Sequence, residues 1–391
     1  MDKGTLAIVA GGELNGLGVV RSLARAHVPT LVIDTDRRRA TMHTRFARKR
    51  EVGALSGPAF LDELARLRAE LDHDPVLFLT QEASVATVAE AHAKIARSFR
   101  ISMPPSATMR MLMDKSLFQT QAESLGFAVP RSIRLTQGDD GSALQSLRFP
   151  CVLKPATKNP DHRLPKAHRL ADADRARALW RNLDGVVASA IVQEWIEGGD
   201  SDVYFCLQYR APSGEIANFT GRKTCQWPPL IGGTATCMPA PEAATELTDT
   251  TNRFFAAVGF VGLGSMEYKR DARDGRFVMV EPTVGRTDYQ EEIATLNGVN
   301  IPYAAYLGEQ GLLLKGCTHP AEPTAWRDPY GHHNAVCAGA RDALDAIAPH
   351  IKVTDAYFRP SDPAPDLAAR LDPVTKRLRA LTKRRAARPV S

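Results

Sequence analysis

The sequence predicts a mixed α/β and α+β protein with more than one domain. Residues 5–34 read as a strand, a glycine-rich loop, a helix and a second strand, an order that predicts a parallel sheet. Residues 266–288, MEYKRDARDGRFVMVEPTVGRTD, read as two strands around a polar turn, which is the pattern of a β-hairpin. A chain of 391 residues also exceeds what one hydrophobic core usually holds, so we expect two or three domains.

The composition is that of an ordinary globular protein, with 44% hydrophobic and 24% charged residues. No run approaches the ~20 apolar residues of a membrane-spanning helix, and the N-terminus has no secretory pattern. We therefore predict a cytoplasmic protein. The six cysteines are scattered without a C-x-x-C pair, which favours free thiols over disulfides or zinc ligands.

Positive charge is concentrated at the C-terminus. Residues 376–391 contribute +7 and contain no acid, so the rest of the chain sums to −1, because the total is +6. A basic segment of this kind can bind nucleic acid or anionic lipid. We favour the alternative, a solvated terminal helix, and predict no nucleic-acid partner.

The first α/β unit carries a candidate anion site. Its loop, residues 11–18 (GGELNGLG), would let backbone amides approach an anion at a helix start. Asp34 follows Gly12 at a distance typical of a dinucleotide fingerprint, although the glycine spacing is not G-x-G-x-x-G. The alternative is that these glycines only make a tight turn.

Further α/β units complete the first predicted domain. We expect a helix near 58–71, a strand at 76–79, a helix near 82–97 and a short strand near 99–101. The MPPS stretch then interrupts the pattern before an amphipathic helix that begins near Asp114.

The middle of the chain places a lysine inside an apolar strand. The run FPCVLKPA carries Lys154, whose ammonium would be costly there without a partner, and an anionic ligand would meet that need. A second strand run, residues 188–202, ends in acids and glycines, and a hairpin is expected at 203–211 and 214–221. Residues 221–236 read as a loop rich in Gly and Pro. Helices are expected near 242–257, 288–296 and 301–308.

The hairpin at 266–288 places one acid on each strand, Glu267 and Glu281. Two carboxylates in one space normally need a cation between them, because like charges at close range cannot both stay ionised. Oxygen ligands suit Mg²⁺, which usually arrives with phosphate, and Mn²⁺ is the alternative ion. The alternative is a pair of surface carboxylates.

These pieces, taken in order, resemble the ATP-grasp superfamily of carboxylate–amine and related ligases. The resemblance covers residues 5–310 and rests on the ordered motifs D-K-S-x-F, L-K-P, V-Q-E-W-I, G-R-K, M-E and V-E-P-T-V-G-R. The nearest branch is D-aspartate-ligase-like and carbamoyl-phosphate-synthetase-like. The resemblance implies a Rossmann-like pre-ATP-grasp domain (1–112) and a two-lobed ATP-grasp module (113–310, with lobes 113–196 and 197–310). Residues 311–391 lie beyond the resemblance, and we expect them to form a helical, basic C-terminal extension.

The resemblance also implies roles for individual residues. Lys115 and Lys154 would contact the phosphates of ATP as point charges. The hinge that would bind adenine consists of Gln193, Glu194, Trp195 and Ile196. The Glu194 carbonyl would accept from the exocyclic amine of the base, the Ile196 amide would donate to its ring, and the apolar residues would sandwich it. Asp202, or Asp200, would bind the ribose. The alternatives are an exposed helix lysine at position 115 and acids that only cap a turn.

The metal and the reacting centre are implied in the same way. Glu267 and Glu281 match the paired metal ligands, and Thr283 stands where the family has an asparagine ligand. Arg286, Lys223 and Arg222 would stabilise the charge of the reacting group. The alternative for Lys223 and Arg222 is a solvated loop. The loop after Lys154 also departs from the family, because residues 157–169 contain no glycine, and Lys158, Arg163 and Lys166 would have to serve the phosphates there.

The predicted function is an ATP-dependent carboxylate–amine ligase of the EC 6.3 class. A carboxylate would take the γ-phosphoryl group to give an acyl phosphate and ADP, and an amine would then displace phosphate. The alternative in the same fold is a carboxylase or phosphoryl-transfer enzyme. Two lower-ranked alternatives are a nucleotide- or polyanion-binding protein and an NAD(P)-dependent oxidoreductase.

The expected partners are a small-molecule carboxylate and a small-molecule amine. Residues 311–391 have no function assigned by the sequence; they could pack on the core, form a homodimer contact or dock to an anionic surface. The adjacent His332 and His333 favour a surface or packing role over a metal site.

Overall fold

The structure is a computed structural model that describes residues 4–155, 168–183, 186–340 and 347–371. Three sheets and the helices around them make up these ranges. The strands are β1 Ala7–Ala10, β2 Thr30–Asp34, β3 Arg48–Glu51, β4 Val76–Leu79, β5 Ser132–Thr136, β6 Cys151–Pro155, β7 His168–Leu170, β8 Ser189–Glu194, β9 Val203–Arg210, β10 Ile216–Trp227, β11 Gly233–Pro239, β12 Gly262–Arg270, β13 Phe277–Val284, β14 Thr324–Arg327 and β15 Lys352–Asp355. The α-helices are α1 Leu14–Arg25, α2 Gly57–Ala69, α3 Glu82–Glu90, α4 His92–Ile95, α5 Ser106–Met113, α6 Lys115–Ser124, α7 Ala173–Leu183, α8 Ala244–Ala257, α9 Glu292–Leu296, α10 Ile301–Gly308 and α11 Pro329–Cys337.

The first sheet is parallel and has the order β3-β2-β1-β4. β1 pairs with β2 on one side and β4 on the other, and all four residues of β1 are buried. Strands covered on both faces read as continuous apolar runs, which is why this sheet could be recognised from the sequence. The predicted parallel sheet is present.

The glycine-rich loop is shorter than the sequence suggested, because α1 already begins at Leu14. Gly16 therefore lies inside the helix, where a Cβ would stand 2.1 Å from the Gly11 carbonyl oxygen. A Cβ on Gly18 would press against Glu292 at 3.1 Å. These two glycines lie in the helix rather than in a turn, and their missing side chains allow the helix to pack closely.

A small sheet of order β5-β8-β6-β7 forms a separate lobe. All its pairings are antiparallel, and Lys154 on β6 lies opposite Ile191 on β8. Helix α7 covers this sheet, with Trp180 fully buried in its core. Helix α6 packs elsewhere: Phe118 meets Phe254 of α8 edge-on, with 5.5 Å between ring centroids.

The large sheet has the order β13-β12-β9-β10-β11-β14-β15. It contains the predicted hairpin of β12 and β13, and it is antiparallel except for the β14–β15 pair. The expectation of a loop over residues 221–236 was wrong, because β10 runs through Trp227 and β11 begins at Gly233. Strand β11 pairs with β10 from Gly221 to Trp227 and so extends β10 where its own sequence suggested irregularity.

Several element boundaries also differ from expectation. The helix expected near 82–97 is divided into α3 and α4, and the one near 288–296 is reduced to α9. The strand near 99–101 is only a single bridge between Val76 and Arg100.

The C-terminal extension is not purely helical. Its described part adds β14 and β15 to the edge of the large sheet, and residues 364–371 are helical. The basic tail at 376–391 lies outside the described residues.

A buried ion pair fastens this extension to the first domain. Arg21 of α1 meets Asp362 at 3.2 Å, with 6% and 1% of their side chains exposed. Asp362 also accepts from the Thr44 hydroxyl and the Arg45 amide, at 2.7 and 2.9 Å. The Arg21 guanidinium donates to the carbonyl groups of Ala356 and Tyr357.

We expect Asp362→Ala to lower the free energy of unfolding by about 3 kcal/mol, because it leaves the Arg21 guanidinium buried without its anion. Urea denaturation followed by circular dichroism measures this loss. Asp249→Ala is the matched control, since Asp249 forms an exposed pair with Arg253 on α8 and should cost less than about 0.5 kcal/mol. Equal losses in the two variants would contradict a structural role for the buried pair.

Candidate nucleotide site

A cleft of about 260 Å³ lies between the small sheet and the large sheet. Both lobes and the start of α6 line it. The sequence-predicted residues that the structure brings to this cleft are Lys115, Lys154, Gln193, Glu194, Trp195, Ile196, Glu267 and Glu281.

The two acids of the hairpin stand side by side. Glu267 and Glu281 are directly opposite in the β12–β13 register, so both side chains project from the same face of the sheet. Each carboxylate has an ammonium partner: Lys223 reaches Glu267 at 2.6 Å, and Lys115 reaches Glu281 at 2.9 Å. A like-charged pair is thus balanced by two lysines.

These pairings set the charge states of the partners. Burial raises the pKa of Glu281, but the Lys115 ammonium, with help from Lys154 and Arg286, outweighs it and leaves the pKa below its ordinary value. Burial likewise lowers the pKa of Lys115, and the Glu281 carboxylate reverses this to a net rise. Both groups are therefore charged at neutral pH.

Lys154 is the exception among these lysines. Burial, followed by the nearby Lys115 ammonium, lowers the pKa of Lys154 to about 8, against weaker opposition from Glu281 and Glu267. Its ammonium donates to the Gln193 side-chain oxygen at 2.8 Å. Gln193 in turn donates to Gln119 at 3.0 Å, which fixes its orientation. A neutral acceptor leaves the Lys154 charge available to an anion in the cleft.

Lys223 and Arg222 face opposite sides of the large sheet, because successive residues of a strand alternate. Lys223 is 4% exposed on the cleft side, where it meets Glu267. Arg222 lies opposite Tyr204 in the register and is 3.9 Å from Glu242. The structure therefore brings Lys223 to the carboxylate pair and does not bring Arg222 there.

Lys269 also lines the cleft and was missed by the sequence reasoning. It lies two residues after Glu267 on β12, so it shares that face of the sheet. Its ammonium donates to the Gly198 and Gly199 carbonyls at 3.0 and 2.5 Å, and burial lowers its pKa. The two-residue spacing after the first acid was the signal that could have found it.

The hinge between the lobes follows β8. The Glu194 and Trp195 amides donate to the Arg131 and Pro150 carbonyls at 2.8 and 3.0 Å, which ties the hinge to the small lobe. The Arg169 guanidinium lies over the Trp195 ring at 5.1 Å. Among the described residues, the Ile196 amide has no protein acceptor, so it is available to a ligand.

Three further predicted residues do not line the cleft, in addition to Arg222 and Lys223. Asp202 accepts from the Gly199 amide at 2.8 Å and so caps its own turn, as the alternative interpretation held. Thr283 lies opposite Ser265, on the same face as Glu281 but one step further along β13. Arg286 is half-buried, donates to the Thr287 carbonyl at 3.0 Å and lies close enough to Glu281 to lower its pKa.

The donor set fits a magnesium ion that also binds phosphate. No group of three or more His, Cys, Asp or Glu side chains that could hold a metal occurs within the described residues. Two carboxylates on one face, Glu267 and Glu281, are what Mg²⁺ commonly takes from a protein when phosphate oxygens and water complete its octahedron. Lys158, Arg163 and Lys166, which were considered for the phosphates, lie outside the described residues.

Asp34, the acid that follows the glycine loop of the first α/β unit, already has partners within the protein. Asp34 is 1% exposed, and its carboxylate accepts from the Gly12 and Asp36 amides at 2.5 and 2.9 Å. It is therefore used by its own loop, which removes the acid on which the dinucleotide interpretation rested. His332 bonds to the Thr236 hydroxyl at 2.7 Å, in agreement with a packing role. Within the described ranges, no helix has the length and apolarity needed to cross a membrane.

Comparisons with solved structures show which known proteins share this fold. N5-carboxyaminoimidazole synthetase from Staphylococcus aureus, complexed with ADP, superposes with a TM-score of 0.64 over 83% of this chain and 82% of that chain, at 14% identity. Biotin carboxylase from Campylobacter jejuni, in an ATP complex, gives a TM-score of 0.60 over 79% of this chain and 71% of that chain, at 13% identity. The biotin carboxylase domain of Hydrogenobacter thermophilus 2-oxoglutarate carboxylase, a dimer with MgADP and bicarbonate, gives a TM-score of 0.61. The match covers 81% of this chain and 71% of that chain, at 13% identity.

In sequence, the chain is 26% identical over 165 residues to a formate-dependent phosphoribosylglycinamide formyltransferase from a Nitratiruptor species. That match covers 39% of this chain and 41% of the relative, so it spans less than half of either protein. No known family profile matches the chain. These structural neighbours are ATP-grasp enzymes, and the predicted fold class is confirmed. The chain therefore has the fold of these ATP-grasp enzymes.

Proposed function

We propose that this protein is an ATP-dependent ligase that joins a small-molecule carboxylate to an amine. The observation that carries the proposal is the pair of directly opposed carboxylates, Glu267 and Glu281, in a cleft that four lysine ammonium groups approach. Such a site has the charges that a polyphosphate and its metal require.

The residues of the chain have distinct tasks in this reaction. Lys115 and Lys154 neutralise the phosphates, and Glu194 and Ile196 bind the base through backbone groups. Glu267 and Glu281 would hold Mg²⁺, whose chemistry is to neutralise charge on the phosphate oxygens. Lys223 holds the Glu267 carboxylate in place, since its ammonium is buried against that carboxylate at 2.6 Å.

The chemistry proceeds in two displacements. A carboxylate oxygen attacks the γ-phosphorus, the bond to the β–γ bridging oxygen breaks, and ADP leaves. The amine nitrogen then attacks the acyl carbon, phosphate leaves with the former carboxylate oxygen, and the nitrogen loses its proton. We assign the oxyanion of the second step to Arg286, which lies close to Glu281.

Bicarbonate as the carboxylate is the second candidate. One structural neighbour was crystallised with bicarbonate and MgADP, and its reaction class is that of the carboxylase alternative. In this version the mixed anhydride of carbonic and phosphoric acid replaces the acyl phosphate, and the amine becomes a carbamate.

We expect ADP release that depends on both a carboxylate and an amine, measured by a coupled ADP assay across panels of each. The Glu281→Gln protein, prepared in parallel, serves as the blank for contaminating ATPases. Release that requires bicarbonate would favour the carboxylase version. ADP binding without release in any combination would overturn the ligase proposal.

A further inference from the structure

The connection from β10 to β11 forms a flap, defined here as residues 227–232, at the mouth of the cleft. Leu230, Ile231 and Gly232 of the flap line the cleft. The side chains of Trp227, Leu230 and Ile231 are nonetheless 39%, 44% and 51% exposed. Adjacent exposed apolar side chains at the edge of a site provide a surface that a ligand can cover.

The flap is tied to the hinge region by one carboxylate. Asp200 accepts from the Gln226 amide at 2.8 Å, from the Gln226 side-chain nitrogen at 3.0 Å and from the Leu230 amide at 2.8 Å. Both of its oxygens are engaged, and every donor belongs to the flap or to the residue before it. A charged acceptor with three donors is a strong local restraint.

The flap needs such a restraint because its backbone is strained. Leu230 has a φ of 67°, in the left-handed region that few residues other than glycine adopt. A Cβ on Gly232 would stand 2.0 Å from the Trp227 carbonyl carbon, so the loop closes tightly on itself. Strain of this kind persists only where the surroundings impose it.

The backbone around Asp200 is itself held in place by hydrogen bonds. Lys269 donates to the Gly198 and Gly199 carbonyls, and Asp202 accepts from the Gly199 amide. Asp200 is the next residue, in a short 3-10 turn that leads into β9. The hinge segment and the flap are thereby held in one fixed arrangement.

We propose that Asp200 is a positioning residue that holds the flap over the bound base, so that Leu230 and Ile231 cover the base from the side opposite the small lobe. This role differs from the ribose contact that the sequence suggested as an alternative for this acid. It rests on the nucleotide binding of the proposed function, and it does not depend on which carboxylate or amine reacts.

Calorimetric titration with ADP tests the proposal without any turnover. We expect Asp200→Ala to weaken ADP binding about tenfold. Asp200→Asn should have an affinity between those of the parent and Asp200→Ala, because its amide keeps one acceptor oxygen. Asp249→Asn, in the exposed pair on α8, should leave the affinity unchanged. Inorganic tripolyphosphate has no base, so its affinity should be the same in Asp200→Ala and the parent. Loss of tripolyphosphate affinity, or wild-type ADP affinity in Asp200→Ala, would overturn the role.

A double-mutant cycle tests whether Asp200 acts through the flap. Ile231→Ser alone should weaken ADP binding about threefold, because it removes apolar cover while leaving the anchor in place. The double variant should bind about as weakly as Asp200→Ala; losses that multiply would overturn the coupling. If Asp200→Ala fails to fold, wild-type affinity in Ile231→Ser overturns the proposal by itself. A parent protein that binds ADP but releases none from ATP refutes only the ligase proposal, whereas a parent that does not bind ADP refutes both.

Discussion

Glu281→Gln is expected to lower kcat by about a thousandfold, because a neutral amide can no longer help a divalent cation neutralise the transferred phosphoryl group. The folded state should survive. The Glu281–Lys115 pair is 48% and 43% exposed, so its loss should change the free energy of unfolding by less than about 1 kcal/mol. The substitution also removes the repulsion between Glu281 and the opposed Glu267, which offsets part of this loss in the free energy of unfolding.

Two measurements on the same preparation check this prediction. Single-turnover ADP release gives the rate, and thermal unfolding with and without MgADP gives the stability and the ligand-dependent gain. Glu281→Gln should unfold like the parent alone but gain less from MgADP than the parent does. Glu246→Gln, an exposed glutamate on α8, is the matched control and should behave as the parent throughout. Turnover within tenfold of the parent would remove the metal assignment.

Lys154→Met should weaken ADP binding at pH 7 by about 10- to 100-fold. The substitution removes the proposed contact between the buried Lys154 ammonium and the phosphates of ADP. The effect should depend on pH. The pKa of Lys154 is about 8 in the free protein, so its ammonium is present below pH 8 and is lost as pH rises. Parent affinity should therefore decline above pH 8, with a limiting slope of about tenfold per pH unit, and the variant should lack this decline.

The free energy of unfolding should change with pH in the opposite direction to the ADP affinity. The folded pKa lies below the ordinary value of 10.5, so between about pH 8 and that value the unfolded chain binds more protons. The unligated fold therefore gains stability with rising pH in this window, and Lys154→Met should not show that gain. Calorimetric titrations with ADP from pH 6.5 to 9.5 without divalent cation, together with urea denaturation over pH 8–10, measure both effects. Lys94→Met, on the exposed surface of α4, controls for general charge loss, and identical pH profiles for it and Lys154→Met would contradict the prediction.

The sequence determined the local elements of this protein. The parallel sheet could be predicted because β1, β2 and β4 are buried on both faces and read as apolar runs. The hairpin was visible from the turn around Gly275, which has a positive φ of 76°. The motif order also predicted the ATP-grasp fold and placed Lys154 and both glutamates in one cleft.

Only the tertiary structure decided which charges meet. Lys223 reaches Glu267 across the intervening strand β9, and Asp200 bonds to Leu230 some thirty residues later. No local pattern encodes such pairs, since they depend on register and sheet order. The same register turned Arg222 away from the cleft and brought Lys269 to it. Sequence thus specifies the residue types, whereas alternation along paired strands decides which of them share a face and act together.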